Sequence, residues 1–122
     1  MNTLVNEKCV PVAPRCDDNT LLTLLAQIPD WQCDKNQAVQ AAQTALVREF
    51  RFKNYYHVMS FVNAIAWIAN KDAHHPDMEV SYNRVLVKFT THDSNGVSRN
   101  DFICAAKVDA LLSLGDFGPV LA

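Results

Sequence analysis

Apolar residues fall into a helical rhythm in three stretches of the chain and alternate with polar ones in two others. In the first helical stretch, Leu21, Leu22, Leu24, Leu25 and Ile28 follow a run of N-cap candidates, Asp17-Asp18-Asn19-Thr20, and stop at Pro29. In the second, Val58, Phe61, Val62, Ile65, Ile68 and Ala69 mark one buried stripe behind the cap candidate Asn54, predicting a helix to about residue 70. In the third, Phe102, Ile103, Ala106, Ala110, Leu111 and Leu114 follow Ser98-x-x-Asp101, a capping box with Asp in place of the usual Glu, and Gly115 ends the run.

The alternating stretches read as strands. Residues 46–53 would turn Leu46, Phe50 and Phe52 inward. Residues 85–92 would send Val85, Val87 and Phe89 one way and Leu86, Lys88, Thr90 and His92 the other. Met78 to Tyr82 is strand-like, and Asn83-Arg84 is expected to be the two-residue turn between it and the next strand. Residues 37–43 have helical propensity but are short and weakly amphipathic, and a hairpin leading into 46–53 competes with that reading. Asp93-Ser94-Asn95-Gly96 is a turn. The order helix, two strands, helix, two strands, helix, with hairpin-length links, predicts an antiparallel sheet with three helices gathered on one face, an α+β layer fold.

Bulk properties narrow the function classes. At 122 residues the chain fits one domain, read as a loose leader over 1–16 and a folded unit over 17–122. A net charge of −2 gives no electrostatic signal for direct nucleic-acid binding. No apolar run approaches the roughly 20 residues of a membrane span, and the N-terminus lacks the basic start and apolar core of a signal peptide, so a cytoplasmic address is expected. The four cysteines, Cys9, Cys16, Cys33 and Cys104, form no C-x-x-C pair and are expected to be thiols in a reducing compartment.

Candidate chemistry concentrates in two short segments. Three of the four histidines lie in Asn70-Lys71-Asp72-Ala73-His74-His75-Pro76 and Thr90-Thr91-His92-Asp93. Imidazole titrates near pH 6.5 and can give or take a proton at neutrality. The proline favours an extended or turn geometry at His75, which places the pair at a corner between two elements. Each residue also has a plainer reading. A histidine at a helix end can simply complement the dipole, His92 can be an exposed strand residue, and Asp101 a cap. His57, early in a helix and outside both segments, matches no site, and Trp31 and Trp67 are most simply core residues. A three-histidine zinc site is the chemical rival, but neighbouring histidines project apart and no nearby carboxylate completes a familiar ligand spacing.

The run His74-His75-Pro76, an aromatic at Tyr82, His92 and Asp101, together with the flanking REFRFKNYYHVMSFVNAIAW and VSYNRVLVKFTTH, resemble the pterin-4a-carbinolamine dehydratases over residues ~20–114. The resemblance implies a four-stranded antiparallel sheet with helices on one face and favours a hairpin region at 37–43. It also implies dehydration of 4a-hydroxytetrahydropterin, the product of aromatic amino acid hydroxylases, to quinonoid dihydropterin, with no cofactor and no metal. By the same resemblance His74, His75 and His92 take the catalytic positions, and Ala73, Thr90, Thr91 and Asp93 line the pterin site. The expected partners are the pterin substrate, a functional link to a hydroxylase, and further copies of the chain in a homodimer or homotetramer. Three positions depart from the family's usual pattern: Asn70 where an acid is common, Ala73 where Asp or Asn is common, and Met78 where an aromatic is common. The family also includes dimerisation cofactors of a homeodomain transcription factor, so a protein-interaction module without catalysis is the alternative.

Overall fold

In the computed structural model, which describes residues 3–34 and 44–114, all three apolar helical stretches contribute to the core built on one face of a single sheet, with Leu22 and Leu114 left exposed. The elements are α1 (Asp18–Leu25), β1 (Gln32–Asp34), β2 (Ala45–Arg51), α2 (Tyr55–Asp72), β3 (Asp77–Val80), β4 (Arg84–Phe89) and α3 (Arg99–Leu111). The strands pair antiparallel in the order β1-β2-β4-β3. This is the expected α+β order. The region 37–43 lies outside the described residues, as does Gly115.

Register explains which side is buried. Leu46 faces Phe89, Arg48 faces Val87, and Phe50 faces Val85 across β2 and β4, so these residues share one face with period two. Leu46, Phe50, Val85, Val87 and Phe89 join Leu24 and Ile28 after α1, the α2 stripe and much of α3 in one core. Trp31 stands among them with its ring 6.0 Å from Phe50 and 5.9 Å from Phe89. Arg48 is the polar member of this face. Its guanidinium meets Asp109 of α3 at 2.7 Å, and the Trp31 Nε1–H donates to the same carboxylate oxygen at 2.8 Å. That pairing satisfies groups that would be costly to bury alone.

The caps form as their sequences predict. The Asp17 side chain accepts the Thr20 N–H, Asn54 accepts the His57 N–H, and Ser98 with Asp101 completes the capping box of α3.

Four expectations are corrected. The β3–β4 loop is Tyr82-Asn83, not Asn83-Arg84. Val80 pairs with Val85, Ser81 N–H donates to Arg84 O at 2.9 Å, and Arg84 is already in the strand, paired with Arg51 and reaching Glu49. Strand β4 ends at Phe89, so His92 is not a strand residue. It opens a one-turn 3₁₀ helix, His92–Ser94, that the Thr91–Gly96 bridge closes off from the sheet. Trp67 is 64% exposed beneath the Lys71 ammonium, not in the core. It stands two residues from Ile65, a spacing that puts it across the helix from the buried stripe.

The fourth correction concerns the leader. Residues 3–16 pack onto the domain: Leu4, in a 3₁₀ turn over α3, is fully buried in the core. The reason lies in α3, where Asp101 through Ala106 are all buried. A helix apolar on all sides needs cover on both. The sheet supplies one cover and the leader the other.

Candidate active site

The cleft begins where α2 stops. Ala73 takes the left-handed conformation (φ 52°, ψ 38°), and the His74 N–H returns to Ala69 O at 3.1 Å. That reversal is a common helix ending, although usually made by glycine. It sends two consecutive imidazoles in different directions. His74 turns inward, with its side chain 13% exposed, its ring parallel to Phe89 at 6.1 Å, and Nε2 2.5 Å from Asp101 Oδ1. His75 turns outward and places Nε2 3.0 Å from Asn70 Oδ1.

Asp101 has no solvent exposure and every bond it needs. Oδ1 meets His74, while Oδ2 accepts the Ser98 N–H and the Thr91 hydroxyl, both at 2.8 Å. The single Thr91 proton is thus committed, so the Ser98 hydroxyl donates to Thr91 Oγ1 across their 2.7 Å contact and accepts from the Asn100 N–H. This network fixes both oxygens of the Asp101 carboxyl group under His74. Burial works against a charged His74, but the hydrogen bond and negative charge of Asp101 outweigh it, and the imidazole pKa is raised above 6.5. Nδ1 of His74 has no protein partner among the described residues.

The second histidine segment forms the opposite wall. Thr90 Oγ1 donates to Thr44 O at 2.8 Å, which anchors the end of β4 to the entry of β2. Thr91 N–H donates to Gly96 O, and Asn95 takes a left-handed φ of 54°, so the chain doubles back and leaves His92 and Asp93 exposed on the rim. A cleft of about 670 Å³ lies between these walls. Ala73, His74, His75, Thr90, Thr91, His92 and Asp93, all the residues expected at the site, line this one cleft. His57 does not. Among the described residues no group of three His, Cys, Asp or Glu side chains is arranged to hold a metal ion.

Two parts of the site escaped the sequence reading. Asp101 was expected to cap α3, and it does, but its other oxygen holds His74. Nothing in Ser98-x-x-Asp101 signals that second bond. The leader was also missed as a wall: residues 8–13 line the cleft. Cys9 N–H donates to Asp72 Oδ1, Val10 and Asn100 exchange two hydrogen bonds, and the Ser94 hydroxyl donates to Ala13 O. The available signal was the unbroken run Phe102-Ile103-Cys104-Ala105-Ala106, which has no polar back face.

The sequence matches the family profile described as pterin 4 alpha carbinolamine dehydratase over residues 14–111. A relative in Stenotrophomonas maltophilia (strain R551-3) carrying the pterin-4-alpha-carbinolamine dehydratase name is 48% identical over 111 residues, covering 88% of this chain and 90% of the relative. One of the same name in Chromobacterium violaceum is 51% identical over 94 residues, covering 77% and 80%. The crystal structure of a transcriptional coactivator/pterin dehydratase from Brucella melitensis superposes with a TM-score of 0.69 at 31% identity, covering 80% of this chain and 97% of that one.

Proposed function

Because the chain belongs to the pterin-4a-carbinolamine dehydratase family, a family of hydro-lyases, we propose that the cleft dehydrates 4a-hydroxytetrahydropterin to quinonoid dihydropterin by histidine acid–base catalysis. The observation that carries this reading is the buried His74–Asp101 pair beside an open cleft rimmed by His92. The reaction needs an acid for the departing hydroxyl and a base for the ring N–H beside the carbinol carbon. His74 suits the acid. Asp101 favours its protonated form and occupies Nε2, which leaves Nδ1–H for the substrate. As Nδ1 protonates the hydroxyl, the C–O bond breaks and water leaves. His92 takes the proton from the ring nitrogen, and the new C=N bond forms. Proton return from His92 to solvent and from solvent to His74 resets the site. His75, held by Asn70, orients the ring, and Ala73, Thr90, Thr91 and Asp93 line its pocket.

In the cell this activity would recycle the pterin of an aromatic amino acid hydroxylase. The edge strand β3 is short and largely exposed, and we propose that the chain assembles as a homodimer or homotetramer. The direct test is stopped-flow dehydration of synthetic 4a-hydroxytetrahydropterin by the purified, chelator-treated protein. The proposal expects acceleration over buffer that zinc does not increase. No acceleration, or activity seen only after zinc is added, would overturn it. The first outcome would favour an interaction module on the same fold.

A further inference from the structure

One cluster beside the cleft has no part in the acid–base chemistry. Cys9 on the leader and Cys104 on α3, 95 residues apart in sequence, bring their sulfurs to 3.5 Å. Both are fixed to the frame of the site. The Cys9 N–H donates to Asp72 Oδ1 at the last turn of α2, and the Cys104 thiol lies 4.0 Å from the His74 carbonyl. Cys9 is half-buried and borders the cleft, whereas Cys104 is fully buried. We propose that Cys9 is an oxidation site for hydroperoxides, with Cys104 as its resolving thiol, and that the resulting disulfide ties the leader to α3 behind His74.

Position gives the two sulfurs different roles. When the Cys104 S–H is the donor across this contact, it favours thiolate at Cys9 against the opposing effects of burial and Asp72, and keeps Cys104 itself as the thiol. When Cys9 carries its own proton, Asn100 O at 3.6 Å is the acceptor. An accessible, thiolate-prone cysteine beside a resolving one is the arrangement that peroxide-sensing sites use. Cys16 lacks it, since burial and the charges of Asp101 and Asp17 push its thiol up.

The chemistry balances. The Cys9 thiolate attacks one peroxide oxygen, the O–O bond breaks, and the other oxygen leaves as water or an alcohol after protonation. Cys9 is then a sulfenic acid. The Cys104 sulfur attacks it, the S–O bond breaks, and hydroxyl leaves with the Cys104 proton as a second water. Two thiols lose two electrons and the peroxide gains them. A disulfide is about 2.05 Å long, so the sulfurs must close by roughly 1.5 Å. That closure requires a movement at Cys9, whose N–H is held by Asp72 and whose neighbour Val10 is held by Asn100. Cys9 precedes the residues matched by the family profile, 14–111, whereas Cys104 lies within them.

The test uses the full reduced chain, titrated with hydrogen peroxide, alkylated and mapped by peptide mass. The expected product is an intramolecular Cys9–Cys104 bridge, with Cys16 and Cys33 still alkylated. Cys104→Ser should instead trap Cys9 as a sulfenic acid that dimedone labels. That label should exceed any on Cys16 by about tenfold or more, since the thiolate is the reactive form. In the oxidised wild type, proteolysis within residues 3–14 should slow relative to the reduced protein. A bridge through Cys16 or Cys33, a bridge between chains, or four intact thiols after stoichiometric peroxide would overturn the proposal. The wild-type map decides this even if a variant misfolds.

Discussion

His74 and His75 share a peptide bond and occupy opposite physical worlds. One ring is packed on Phe89 with its Nε2 on the fully enclosed carboxyl group of Asp101, and the other is exposed beside an asparagine. The contrast extends to the whole cleft. Its inner half is the saturated network of His74, Asp101, Thr91 and Ser98, and its outer half is the open rim of His75, His92 and Asp93. The difference teaches that histidine count is a poor guide to histidine role. The inner half is held by the core, so altering it should cost stability as well as chemistry, and altering the outer half should cost chemistry alone.

Several substitutions can break or sharpen that contrast. The largest effect is expected at Asp101. Asp101→Ala strands the Ser98 N–H and the Thr91 hydroxyl and removes the counter-charge of His74, and it should cost about 3–5 kcal/mol in urea unfolding. His75→Ala, by contrast, should stay within about 0.5 kcal/mol of wild type. Equal losses at the two would erase the distinction between the halves.

Leu4→Ala tests whether the leader is part of the inner half's support. Leu4 is buried against α3, and truncation should cost about 2–4 kcal/mol. A change near zero would return residues 3–16 to the status of a loose leader.

The pH dependence of stability tests the inner half directly. The folded-state pKa of His74 is raised above 6.5. Its contribution is therefore fully present below about pH 6.5 and is lost as pH rises through the folded value. His74→Gln should remove that fall in stability with rising pH, read as denaturation midpoints from pH 5 to 9. A slope unchanged in the variant would place the charge elsewhere.

A smaller, stabilising effect is expected at the hinge between the two rings. Ala73 pays for a left-handed backbone that costs an L-residue roughly 1–2 kcal/mol, part of which glycine would return as chain entropy. Ala73→Gly should stabilise by about 0.5–1 kcal/mol in thermal or urea melts, and a loss would show that the alanine methyl packs.

How much of this was legible depended on whether the signal was local. The α2 stripe, the caps at Asp17, Asn54 and Ser98, and the Val85/Val87/Phe89 face are patterns within a few residues, and they formed as read. Gathering His74, His75 and His92 at one cleft was legible through the family resemblance. Four things were not. The end of β4 depends on the Thr91–Gly96 closure, which period two does not show. The exposure of Trp67 depends on which face of α2 the sheet takes. The docking of the leader and the second bond of Asp101 join residues brought together only by the fold: Leu4 packs on α3, and Asp101 meets a histidine 27 residues away. Left-handed Ala73 also gives a physical meaning to its departure from the family pattern, since Asn and Asp tolerate that conformation better than alanine does.

The central claim is that His74 and His92 divide one proton-transfer task between an inner acid and an outer base. Separate kcat and KM for carbinolamine dehydration by His74→Ala, His92→Ala, His75→Ala and His57→Ala, with folding checked for each, test it most directly. The account predicts kcat losses of roughly ten- to a thousandfold at His74 and His92, the range for one positioned proton-transfer group. It predicts a raised KM with kcat largely kept at His75, and wild-type values at His57. Full activity in the His74/His92 double variant, or a kcat loss at His57 equal to that at His74, would contradict it.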